Sequence, residues 1–274
     1  MPFVCEGLTL GYDASPVLSQ FSLALPRGQL VVLLGANGCG KSTLIKALAG
    51  HLTPTQGRIL FEQRPLADWP AVERARRLAY LPQYPELFAD LSVFDLVRYG
   101  RFPHQALLRQ WQAEDEDAVQ QALAQTGLLD LSARRLSSLS GGQQQRAWIA
   151  MVLAQEAEVL LLDEPINHLD LNHQVEILDL LTDLRLQGKT LVVVLHDLNL
   201  ASRYADQLVL LHQGQILQQG SAAAVLQAAT IEQAYGQAVT VVTDPVFGTP
   251  WVIPTSRHGM GASRRDAVPH QAAF

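Results

Sequence analysis

The chain has 274 residues, of which 48% are hydrophobic and 17% charged, and it carries a formal charge of −6. That composition supports one large domain, or one domain with an embedded subdomain, and excludes a largely disordered chain. The acidic balance argues against a nucleic-acid surface as the main partner, and no apolar run reaches the roughly 18 residues that a membrane-spanning helix needs.

The N-terminus, Met1-Pro2-Phe3-Val4, lacks a basic stretch followed by an apolar one, so no export signal is expected. Cys5 and Cys39 are the only cysteines. A disulfide framework is therefore not expected, and a reducing compartment fits. Cys39 reads either as an alkylatable thiol or as a small filler.

Residues 3–10 and 21–25 alternate apolar with small or polar positions, as half-buried strands do, and are joined through Gly11 to Pro16. Gly57 to Glu62 adds a third candidate strand, so an antiparallel layer is expected. Tyr12 falls on the turn, where an aromatic either packs or stacks on a flat base. The apolar run Leu30 to Leu34 then enters Gly35-Ala36-Asn37-Gly38-Cys39-Gly40-Lys41-Ser42-Thr43, and a helical pattern follows. Glycines at this spacing let successive backbone N–H groups turn inward around an oxyanion, and the helix adds its positive end. Lys41 can reach the outer phosphates of a nucleotide, and the Ser42 hydroxyl can hold a bridging magnesium ion.

Leu78 to Leu81 reads as a buried strand that delivers Gln83 to its end, where ligands of parallel sheets collect. From Tyr84 to about Gln155 helical spacing replaces the strand signal, as expected of an inserted helical subdomain. Its run Glu114-Asp115-Glu116-Asp117 suits the first turn of a helix rather than a metal site. Strand-length runs return at Val159 to Asp163, Thr190 to Leu195 and Leu208 to Leu211, with helical patterns over 172–187 and 197–205 between them. A parallel sheet with helices on both faces is the expected solution. Small helices over 222–229 and 230–235, a peripheral hairpin from Val239–Val242 and Trp251–Ile253, and a disordered tail complete the expectation.

Asp163 and Glu164 close the apolar run that begins at Val159. At the carboxyl end of a parallel strand Asp163 can hold magnesium, and Glu164 becomes the candidate general base for water attacking a γ-phosphate. Ser140-Gly141-Gly142-Gln143 opens a helix with a hydroxyl and free N–H groups, a second anion cradle. Two cradles in one chain invite a head-to-tail pair that shares each nucleotide. His196 ends the run from Thr190 and can orient Glu164 or its water, whereas His168 and His173 lack the spacing of a helical zinc pair.

Together these residues resemble the ATP-binding cassette (ABC) ATPase family, in the family's order, over residues 3 to 220. The resemblance implies an α/β P-loop NTPase core with a mostly parallel sheet, an N-terminal antiparallel β subdomain and a helical subdomain inserted over about 84–155. The ATPase domain is expected to span 1–254, with 255–274 as a tail. Tyr12 corresponds to the family's adenine-stacking aromatic, Gly35 to Thr43 to its Walker A loop and Gln83 to its Q-loop glutamine. Leu139 to Gln143 match its signature, Val159 to Glu164 its Walker B strand and catalytic glutamate, Asn167 to Asp170 its D-loop and His196 its switch histidine. Ile166 stands where threonine is more usual.

The implied cofactors are ATP and Mg2+, with Ser42, Gln83 and Asp163 at the metal. Ser140, Gly141, Gly142, Gln143 and Asp170 are implied to close on a partner's nucleotide. The segments Arg76 to Gln83, Tyr99 to His104, Gln145 to Met151 and Leu195 to Ala201 are most similar to importer ATPases for ferric siderophores, the hydroxamate type in particular; haem and cobalamin importers are the alternative. That likeness implies a homodimer on the cytoplasmic face of the membrane, docked near residues 83–104 on integral-membrane permease subunits. Through them it would serve a periplasmic or lipid-anchored binding protein. Rival classes are a cytosolic ABC switch, which usually carries a second cassette or a coiled-coil insertion absent here, and a P-loop kinase, which the signature disfavours.

Overall fold

The structure is a computed structural model and describes residues 1–12, 15–83, 91–105, 111–167 and 169–255. Strands β1 (Phe3–Tyr12) and β2 (Ser15–Leu25) are longer than their sequence pattern, because their pairing continues through Gly11 to Tyr12 opposite Ser15. Strand β3 (Leu30–Leu34) enters the glycine-rich loop and helix α1 (Lys41–Leu48) leaves it. Strands β4 (Gln56–Phe61) and β5 (Arg64–Pro65), helix α2 (Ala71–Ala75) and strand β6 (Leu78–Leu81) follow.

Between β6 and β7 (Val159–Asp163) the chain runs through helices α3 (Val93–Arg98), α4 (Ala113–Gln125) and α5 (Gly141–Ala154). Helix α6 (Leu171–Leu186), β8 (Thr190–Val194), α7 (Leu198–Tyr204), β9 (Gln207–His212) and β10 (Gln215–Gly220) complete the large sheet. Helices α8 (Ala222–Val225) and α9 (Ala228–Tyr235) lead to the hairpin β11 (Val239–Thr243) and β12 (Pro250–Pro254).

The large sheet has the order β10-β9-β3-β8-β7-β6, and the small antiparallel sheet the order β2-β1-β4-β5. From β9 to β6 all neighbours are parallel; β10, which lacks a strong apolar run, pairs antiparallel with β9. Every residue of β3, β7 and β8 is buried, as a strand covered on both faces requires. Alternation sorts them: Leu30, Val32 and Leu34 join the core under the helices, whereas Val31 and Leu33 join the core shared with α1 and the small sheet. Among the described residues no helix is long and apolar enough to cross a membrane.

The acidic run at the start of α4 does more than suit the helix dipole. Asp115 is fully buried, and its carboxylate takes the Arg101 Nε at 3.0 Å while also accepting the Gln112 N–H. Arg101 in turn donates to the Ala154 carbonyl at 2.8 Å and pairs with Glu156 at 2.6 Å, tying α4 to the end of α5. Removing one partner of a buried pair strands the other charge. We expect Asp115→Ala to lower unfolding stability by about 3 kcal/mol, read by urea denaturation; a loss below about 0.5 kcal/mol would mean that water reaches the guanidinium.

Candidate functional site

The parallel register sets the site. Leu33 stands opposite Val194, Val194 opposite Asp163, and Leu162 opposite Leu81. The residues that follow each strand, Gly35 onward, Leu195-His196, Glu164 and Gln83, therefore emerge side by side at one sheet edge.

Gly35 has φ 143°, and an added Cβ would lie 2.3 Å from the Leu211 carbonyl oxygen, so only glycine carries the chain off β3 here. The loop bounds a cavity of about 230 Å3 lined by Val17, Asn37, Gly38, Gly40, Lys41, Ser42, Thr43 and Glu164. Cys39 is buried beneath it. Lys41 is buried and folded back on its own loop, its Nζ donating to Gly35 O at 2.7 Å and Ala36 O at 3.2 Å.

The Ser42 hydroxyl donates to Asp163 Oδ1 at 3.2 Å. Burial pushes the Asp163 carboxyl up to about 6, with the nearby Glu164 charge adding to the rise and the Ser42 hydrogen bond opposing it. Glu164 Oε2 accepts from the Gln83 side-chain amide and from Asn167, and Oε1 lies 2.6 Å from His196 Nε2. Its backbone is left-handed at φ +56°, which turns the carboxylate toward the loop at a cost of about 1–2 kcal/mol. In the sequence Asn167 reads only as the first residue of the segment up to Asp170; its contact with Glu164 is not anticipated there.

A hydroxyl, a carboxylate and an amide oxygen form a hard oxygen donor set, so Ser42, Asp163 and Gln83 fit a magnesium ion. The glycine nest with a lysine fits a polyphosphate. Tyr12 ends β1 half-exposed, as a ring awaiting a planar partner would be. A larger cavity of about 370 Å3, between α1 and β4–β5, contains none of these residues.

The second cradle stands apart. Ser140 caps α5, accepting from the Gln143 N–H at 3.3 Å while the Gln143 side chain takes the Ser140 N–H at 3.1 Å. Ser140 and Gly141 are exposed, and no residue of 140–143 lines the loop cavity. Gly142 has a different neighbour: an added Cβ would sit 2.6 Å from the His173 ring. That ring is held at 2.6 Å by Asp170, whose exposed carboxylate also caps α6 through the His173 N–H and is kept below the usual range chiefly by that backbone hydrogen bond. His173 thus links Asp170 to helix α5. His168 lies outside the described residues.

The family model described as ABC transporter matches residues 18–167. A petrobactin import ATP-binding protein from Bacillus anthracis is 44% identical over 96% of this chain and 96% of its own length. An iron(3+)-hydroxamate import ATP-binding protein from Bacillus subtilis is 39% identical over 89% of this chain and 91% of its own. Among solved structures, an ABC transporter described as of the metal-chelate type, in an inward-facing conformation, matches with a TM-score of 0.81 at 29% identity, over 93% of this chain and 97% of that one. With the loop, the acidic strand end and the signature helix in this order, the chain belongs to the ABC transporter family of ATP-binding subunits, and it is an ATPase.

Proposed function

We propose that this chain powers an importer from the inner face of the membrane, as a homodimer that closes on two Mg-ATP and reopens after hydrolysis. The observation that carries this reading is the separation of the two anion cradles: the loop cavity is lined without residues 140–143, of which Ser140 and Gly141 are exposed. A second copy placed head to tail brings its Ser140, Gly141, Gly142 and Gln143, and the Asp170 loop, onto the first copy's nucleotide.

Within each half Lys41 leaves the Gly35 and Ala36 carbonyls for the outer phosphates, and Tyr12 stacks on the base. Ser42, Asp163 and Gln83 would hold a Mg2+ ion, which would supply charge neutralisation for the phosphates. Glu164 accepts the proton of the attacking water, and His196 orients that carboxylate. Gln83 donates to Glu164 through its amide nitrogen, which leaves its amide oxygen available to a metal.

We assign residues 1–254 to one ATPase domain with its helical part between β6 and β7. Permease docking near residues 83–104 is supported by the aromatic pair Tyr99 and Phe102, 4.9 Å apart, with Phe102 largely exposed. Tyr84, Leu87 and Phe88, the apolar and aromatic residues of the same stretch expected to face the permease, lie outside the described residues. The cargo we infer is a ferric siderophore, hydroxamate first, delivered to the permease by a binding protein. Both curated relatives above are named for petrobactin or iron-hydroxamate import. In the parent organism lacking this gene, uptake of radiolabelled ferric hydroxamate should fall; normal uptake together with lost haem uptake would redirect the assignment to haem.

Glu164→Gln is expected to bind ATP yet turn over at least about a hundredfold more slowly, and to accumulate as a dimer in size-exclusion chromatography with Mg-ATP. Unimpaired hydrolysis would remove Glu164 from its role. For Lys41→Ala, calorimetric titration should give an ATP affinity weaker by about tenfold or more.

Acidity provides a further check. Because the folded, nucleotide-free chain keeps a proton on Asp163 up to about pH 6, the metal must displace it at lower pH. The Mg2+-dependent part of ATP affinity should therefore be constant above that value and fall about tenfold per pH unit below it. Asp163→Asn should abolish the dependence.

A further inference from the structure

The C-terminal elements reach the phosphate loop. Tyr235, the last residue of α9, places its hydroxyl 3.0 Å from the Gly35 N–H and accepts that hydrogen bond from 200 residues away in sequence. Helix α9 is seated by Ile231 and Ala234, both buried in the core under the large sheet. Burial pushes the Tyr235 hydroxyl up to about 12, so it stays a neutral phenol at physiological pH. Gly35 is thereby held at both ends of its residue, by Tyr235 at its N–H and by Lys41 at its carbonyl. Once Lys41 turns to phosphate, Tyr235 is the side chain left holding the start of the loop.

The same C-terminal stretch grips the element behind the switch histidine. Asn199 on α7 exchanges hydrogen bonds with the Val252 backbone, accepting its N–H at 2.7 Å and donating to its carbonyl at 3.2 Å. Ser202 donates to the Pro250 carbonyl at 2.7 Å, and Arg203 forks onto Asp244 at 2.8 and 3.1 Å while lying over the Phe247 ring. Asp197 caps α7 through the Asn199 and Leu200 N–H groups, directly after His196. Helix α7 and the β11–β12 hairpin are therefore joined by neutral and charge-assisted hydrogen bonds, several of them part-buried.

We propose that residues 222–254 form a strut between the two halves of the nucleotide site, in which Tyr235 is a positioning residue for the phosphate loop and Asn199 fixes the His196 helix to the strut. This rests on the reading of residues 35–43 as the nucleotide loop. The two ends make opposite demands. Losing the Tyr235 hydroxyl leaves a buried N–H unpaired and loosens the loop that binds phosphate, so nucleotide affinity suffers. Losing the Asn199 amide leaves the loop intact but lets α7 and His196 drift from Glu164, so turnover suffers.

The test titrates ATP onto the purified full-length chain and measures hydrolysis in the complex reconstituted with its permease. Tyr235→Phe keeps the ring and its packing; its ATP dissociation constant and KM should rise about tenfold, with the smaller effect on kcat. Asn199→Ala should show the reverse split, kcat falling about tenfold with the dissociation constant within about twofold of the parent. Unchanged ATP affinity in Tyr235→Phe, or affinity and kcat falling in equal measure in both variants, overturns the strut. If Tyr235→Phe does not fold, Asn199→Ala decides alone on the same split. Lys41→Ala in the same titration reports on the loop itself: normal ATP binding there would sink the nucleotide-loop assignment rather than the Tyr235 one.

Discussion

The side-by-side register of four parallel strands is the constraint on which the rest depends. Because Leu33, Val194, Leu162 with Asp163, and Leu81 occupy adjoining ladder positions, the glycine loop, His196, Glu164 and Gln83 leave the sheet at one edge. A shift of one residue in any of these strands would exchange its two buried faces and aim its terminal side chain elsewhere. Burial on both faces forbids that shift, since β3, β7 and β8 alternate between two separate cores. Hydrophobic packing far from the chemistry thus sets the position of polar atoms at the edge.

Within that frame Glu164 is held rather than free. Gln83, Asn167 and His196 converge on its two oxygens, and its left-handed backbone is tolerated because the carboxylate is so fully engaged. A carboxylate held at both oxygens in this way is positioned in advance and needs little reorganisation to act. Lys41 is likewise engaged: its cation rests on backbone carbonyls of its own loop.

The segment around Asp170 and helix α5 also form a unit. Asp170 holds the His173 ring, the ring fills the space that a Gly142 side chain would need, and Arg146 pairs with Glu176 at 2.5 Å one turn further along. A displacement of one element is therefore felt by the other.

Much of this was legible in the residues themselves. The glycine spacing, the acids closing Val159 to Asp163, and the serine before Gly141 are local patterns, because a phosphate nest, a strand end and a helix cap are each built from neighbours along the chain. The hairpin at Val239 and Trp251 was legible for the same reason. Tertiary structure alone decided that Asp115 neutralises Arg101, that β10 turns back against β9, that Asn167 reaches Glu164, and that Tyr235 meets Gly35. Such contacts depend on how separate elements dock, and apart from Asn167 the partners lie too far apart in the chain, or carry too little apolar pattern, for spacing to announce them.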